Sequence, residues 1–96
     1  MGGGERRTEV RKQSEQPEAA MVTILQAGAH PHVTCLVLNR SSGGMCLHFP
    51  TAIDRGSLIQ IRLKEAIFMA EVRYCIPAIQ SYQVGVVIRE VMPRTS

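Results

Sequence analysis

Tryptophan is absent, and the aromatic side chains are limited to two Tyr and two Phe. Barrels that bind single-stranded nucleic acid stack bases on strand-borne aromatics beside basic grooves, so this composition speaks against that class. Acidic residues are sparse after position 18: only Asp54, Glu65, Glu71 and Glu90 occur there, with no evident acid–base pair. No Ser/His/Asp arrangement and no phosphate-binding Walker loop is present, so no enzymatic reaction is expected. The three cysteines, Cys35, Cys46 and Cys75, lack CxxC spacing, and each sits in an apolar run. They read as reduced, packed thiols. His30, His32, Cys35, Cys46 and His48 match no zinc-ligand spacing, so no metal is expected. The longest apolar runs are strand-sized, which excludes a membrane-spanning helix and leaves no expectation of membrane insertion. The first 18 residues contain no apolar stretch, so no signal peptide is expected and the location reads as cytoplasmic.

What is present is a 96-residue chain, enough for one domain with a small core. The net charge is +3. Residues 1–18 carry Arg6, Arg7, Arg11 and Lys12 against Glu5, Glu9, Glu15 and Glu18, and so are neutral overall. The excess comes from basic residues scattered over the remainder. Scattered charge gives little long-range pull on nucleic acid, and a few local arginines suit a compact dianion better.

Residues 1–17 show no periodicity and end in Gln16-Pro17, which reads as a flexible N-terminal arm. Ala19–Leu25 then reads as a first strand and Gln26–Pro31 as a turn. Val33–Leu38 is apolar on both faces and reads as a central strand. Met45, Leu47 and Phe49 alternate with Cys46 and His48 in a third strand. Pro50–Gly56 is a loop. Ile59, Ile61 and Leu63 alternate with Gln60, Arg62 and Lys64 in a fourth strand. A fifth spans about Ile67–Ile76, with Phe68, Ala70, Val72 and Tyr74 on one face, and a connection follows to Ser81. Tyr82–Ile88 is the sixth. Tyr74 and Tyr82 read as packing aromatics of the core or rim. No segment has a helical period. Six strands at short intervals predict an all-β fold, a small antiparallel barrel or sandwich over residues 18–92, of which the six-stranded barrel is preferred, with a short tail at 93–96. Closure would remove the sheet edges that invite aggregation.

Two segments carry chemistry. Arg6, Arg7 and Arg11 place three guanidinium groups within six residues of the arm. Asn39-Arg40-Ser41-Ser42-Gly43-Gly44 places an amide, hydroxyls and glycine-exposed backbone N–H groups at a strand-to-strand corner. Either alone is ordinary: basic termini are common, and tight turns use Asn, Ser and Gly. Brought together, they would form a pocket for a ligand with planar bases and phosphates.

This pairing resembles the PilZ family of bacterial cyclic di-GMP receptors, whose signatures are RxxxR and [D/N]xSxxG in that order. Arg7-x-x-x-Arg11 and Asn39-x-Ser41-x-x-Gly44 match them. Gly44-Met45-Cys46-Leu47, Gly56-Ser57-Leu58-Ile59-Gln60-Ile61 and Tyr82-Gln83-Val84-Gly85-Val86-Val87 are similar to the family's later strands, so the resemblance covers residues 5–89. It implies a receptor in which the arm orders over the barrel around cyclic di-GMP and a downstream protein partner reads the new surface. Arg7 and Arg11 would meet guanine edges and phosphates, which the guanidinium fork matches bidentately. Asn39 and Ser41 would bond the ligand, with Gly44 allowing close backbone approach. Asn39 stands where the family more often has Asp, and its amide can still accept from guanine N1–H or N2–H. Arg6 resembles the arginine of members that take two stacked ligand molecules. The implied setting is bacterial motility or biofilm signalling, with no metal or nucleic acid, as a monomer or weak dimer. The competing expectation is a degenerate barrel that serves as a ligand-independent interaction module.

Overall fold

The computed structural model describes residues 12–26 and 28–94, the first five by their backbone path alone. Residues 1–11, which carry Arg6, Arg7 and Arg11, lie outside this range. The described chain is all strand: β1 (Lys12–Leu25), β2 (His32–Arg40), β3 (Gly44–Phe49), β4 (Leu58–Arg62), β5 (Ala66–Ala78) and β6 (Ser81–Pro93). They close into an antiparallel barrel in the order β1-β2-β3-β6-β5-β4, with β4 pairing back onto β1. The expected six-stranded barrel is therefore the fold.

Period-2 alternation builds the interior. Met45, Leu47 and Phe49 on β3, and Ile59 and Ile61 on β4, are buried, and Leu63 follows in the same phase. Val22, Cys35, Val37, Val72 and Val84 complete the wall. Burying one such aliphatic or aromatic side chain stabilises the fold by about 1.5–3 kcal/mol. Cys35 belongs to this core, and burial pushes its thiol up to about 12, which holds it protonated and inert. Both faces of β2 read as apolar; Cys35 and Val37 are buried, Val33 packs against the core, and Leu36 and Leu38 are half-buried. Leu38 is the extra residue where the register with β3 shifts between Val37 and Asn39.

Besides β6, which runs past Ile88 to Pro93, three features differ from the sequence pattern. The β1 ladder reaches back to Lys12, paired with Arg40, instead of starting near Ala19. Between Gln13 and Glu18 the register shifts, because the stretch holding Pro17 loops out of the ladder. Proline has no N–H to give a ladder, so an irregularity is where it fits. β5 continues to Ala78 and meets β6 through a two-residue turn, Ile79-Gln80, with Gln80 at a φ of 58°. Tight hairpins need such left-handed residues. The third difference lies inside β5. Val72 pairs with Val86 and Tyr74 with Gly85, leaving Arg73 as an extra residue. This bulge reverses the phase. Tyr74, expected on the face of Ala70 and Val72, turns outward, and Cys75 packs against the core instead.

Candidate ligand site at the β2–β3 corner

The corner after β2 is tied by Ser41 N–H donating to the Gly44 carbonyl at 2.9 Å. Ile88 N–H donates to the Gly43 carbonyl at 2.9 Å and fastens the turn to β6. At Gly44 a Cβ would lie 2.6 Å from the Val86 carbonyl oxygen, so only glycine lets β3 approach β6 this closely. One lateral row of paired positions then crosses five strands: Gln13, Asn39, Cys46, Gly85 and Tyr74. Met45 of the adjacent row points into the core, so Cys46 and its neighbours Asn39 and Tyr74 face out.

A cavity of about 250 Å³ opens on this face. Asn39, Ser41 and Gly44, the three corner residues singled out from sequence, all line it. Cys46, Arg73, Tyr74 and Gly85 join them. Gly85 matters by what it lacks. A Cβ there would sit 2.1–2.8 Å from ring atoms of Tyr74, so the glycine is the seat on which the phenol ring lies.

Among the described residues, Arg73 is the sole charged side chain of this lining, and no carboxylate faces it there. It makes no hydrogen bond or ion pair among the described residues. Its neighbour Glu71 is engaged elsewhere: Arg89 donates to its carboxylate, which holds that carboxyl below the usual range. Arg40, inside the corner motif, does not line the cavity. Its Nη2 donates to Glu65 Oε2 at 2.5 Å, and its guanidinium stands 5.9 Å from the centroid of the Phe68 ring. This hydrogen bond holds the Glu65 carboxyl below its ordinary value. The same turn is fastened by Arg94, whose Nη1 donates to the Leu63 carbonyl at 3.0 Å. Arg40 thus ties β2 to the β4–β5 turn, whereas Asn39 and Ser41 on either side of it face the cavity.

Tyr74 escapes sequence reading because the bulge at Arg73 that turns it outward has no composition signature. The available signal is Arg73 itself, a cation on β5 whose one carboxylate on the same strand, Glu71, is held by Arg89. No group of three or more His, Cys, Asp or Glu side chains is placed to hold a metal among the described residues.

A small closed barrel with a polar, cation-bearing hollow beside a glycine corner defines a ligand-binding module. The chain belongs to the PilZ domain family, whose model matches residues 5–96 and so covers essentially all of it. PilZ domains are cyclic di-GMP-binding receptors rather than enzymes. No curated protein matches the chain.

Proposed function

We propose that this protein is a cyclic di-GMP receptor that signals by bringing its N-terminal arginines onto the cavity at the β2–β3 corner. The observation that carries the reading is the convergence of Asn39, Ser41 and Gly44 on one hollow with Arg73, which has no ion-pair partner among the described residues. Phosphate needs cationic and N–H donors, and guanine needs donors and acceptors on its edges together with a flat apolar face. Arg73 supplies charge, Asn39 and Ser41 supply edge contacts, and the Tyr74 ring supplies a face.

The arm enters through covalent geometry. Lys12 pairs with Arg40, and Arg11 is one peptide bond, about 3.8 Å between Cα atoms, before it. The chain leading into Lys12 can therefore bring Arg11 to the corner. Arg7, four residues earlier, can lie at most roughly 14 Å further along an extended chain. In the proposed complex Arg7 and Arg11 close over the ligand, and Arg6 serves a second molecule stacked on the first. The ordered arm and ligand together form the surface that a downstream protein reads, and ligand binding energy offsets the cost of ordering.

The test is amide NMR with and without cyclic di-GMP. The expected result is shift changes confined to residues 39–46, 73–74 and 85 and to residues 6–11, with faster transverse relaxation of the latter in the complex as the arm orders. Shifts elsewhere on the barrel, with residues 39–46 unmoved, would overturn this site. An absence of any change would favour an interaction module that needs no ligand.

A further inference from the structure

One end of the barrel is uneven. β3 and its corner accompany β6 only as far as Ile88, and β6 runs on to Pro93. Val91 lies on that overhang. It pairs with Phe68, which pairs with the buried Ile61, so Val91 stands in an inward row. Val84 and Val86, inward on the same strand, are buried, yet Val91 is 49% exposed and Phe68 only half-buried. A polar group is in a similar position beside them. Arg40 reaches over Phe68, its guanidinium 5.9 Å from the ring centroid, and donates from Nη2 to Glu65. Its Nη1 is buried and has no acceptor among the described residues. A buried donor without a partner is costly, more so on a charged group. This end of the barrel thus presents an apolar patch and an unanswered donor side by side.

The N-terminal arm joins the barrel next to this patch. Lys12 pairs with Arg40, and Arg40 with the buried Met45, so Lys12 holds a position of the inward row. Gln13 holds a position of the outward row that carries Asn39, Cys46 and Tyr74. Successive residues of an extended chain face opposite ways. Continued upstream, positions 10 and 8 fall on the inward side with Lys12, and positions 11, 9 and 7 on the outward side with Gln13. Val10 is the one aliphatic side chain from Gly2 to Arg11. It is two residues, at most roughly 7 Å of chain, from Lys12.

We infer that Val10 docks at this end of the barrel, packing on Val91 and Phe68, while a backbone carbonyl of the arm accepts from Arg40 Nη1. The docked valine is a positioning residue for the ligand site. It fixes the phase of the arm, so that Arg7 and Arg11, an even number of residues apart, both face the side of the cavity. An arm without this anchor could turn either face to the ligand. Burying one valine roughly offsets the ordering of the two residues that tether it. The contact is therefore partly populated in the free chain and completed when ligand engages the arginines. The positioning role rests on the cyclic di-GMP reading, whereas the contact itself does not.

Methyl and aromatic NMR of the full chain without ligand tests the contact. Nuclear Overhauser effects from the Val10 methyls to the Phe68 ring and the Val91 methyls are expected, and Val10→Ser should shift the Val91 and Phe68 signals. Signals indifferent to Val10→Ser would overturn the contact. So would Val91 signals that move with protein concentration, which would give this end of the barrel to a second copy. Calorimetry with cyclic di-GMP tests the positioning role. Val10→Ser and Val91→Ser should each weaken binding about tenfold, and the double variant no more than either single, since both remove one contact. In an Arg7→Ala background the loss from Val10→Ser should shrink, because Val10 acts through the arginines. Wild-type affinity in Val10→Ser, losses that add in the double variant, or an undiminished loss in the Arg7→Ala background would overturn the role. A wild type that binds no cyclic di-GMP would overturn the reading on which the role rests, and the ligand-free signals would still decide the contact.

Discussion

The ring of Tyr74 lies on Gly85, so close that a Cβ on the glycine would sit 2.1 Å from Cε2 of the ring. This contact fixes one wall of the cavity and depends on the bulge at Arg73, which turns Tyr74 out of the core. Gly85→Ala should therefore displace the ring, destabilising the fold by about 1–3 kcal/mol as overpacked sites do. Combining it with Tyr74→Ala should recover most of that loss, because the clash is gone. Urea denaturation of the four proteins measures the coupling. Additive losses would show that the glycine is required for another reason.

Arg7→Ala and Arg11→Ala should each weaken cyclic di-GMP binding by ten- to hundredfold, from charged hydrogen bonds worth about 1.5–3 kcal/mol. The urea midpoint of each variant should stay unchanged, because both arginines lie in a polar stretch of sequence outside the apolar strand segments. Arg73→Ala should weaken binding in the same way. Wild-type affinity in any of the three removes that residue from the site.

Arg6→Leu should change stoichiometry. Two stacked cyclic di-GMP molecules bring four phosphate charges together, and their repulsion in a partly desolvated site costs several kcal/mol unless cations compensate it. Wild type is expected to titrate with two ligands per chain and Arg6→Leu with one. A variant that still takes two would assign the second molecule to other residues.

Alkaline pH should destabilise the barrel through Cys35. Its thiol is raised from 9.0 to about 12 by burial. Folded protein thus keeps the proton while the unfolded chain releases it above pH 9.0. Stability is fully present below that pH and falls as pH rises toward 12, since the unfolded state binds fewer protons. Urea midpoints from about pH 8 to about pH 10.5 should fall less steeply in Cys35→Ala. Thiol labelling of the native protein should reach Cys46 and Cys75 before Cys35.

The fold was legible because barrel strands write their inward face directly into the sequence. Met45, Leu47 and Phe49, and Ile59, Ile61 and Leu63, alternate without interruption and are buried in that pattern. Asn39, Ser41 and Gly44 were legible because a tight corner and a close backbone approach demand those residue types. The rest depended on bulges. An extra residue at Arg73 moves no apolar residue out of its composition class, yet it decides which face Tyr74 and Cys75 take. The same holds at Pro17, where a looped-out stretch lets β1 resume pairing at Lys12 and Gln13. Long-range register sets these features, and local pattern carries no record of them.

The most direct test of the account is a calorimetric titration of the full chain with cyclic di-GMP, run beside GTP and linear di-GMP. Saturable heat with cyclic di-GMP alone, lost on Asn39→Ala combined with Ser41→Ala while the barrel stays folded, is the predicted result. No heat and no amide shift with cyclic di-GMP at about 100 µM, where a weaker Kd would mean under ~5.5 kcal/mol of binding, would contradict it.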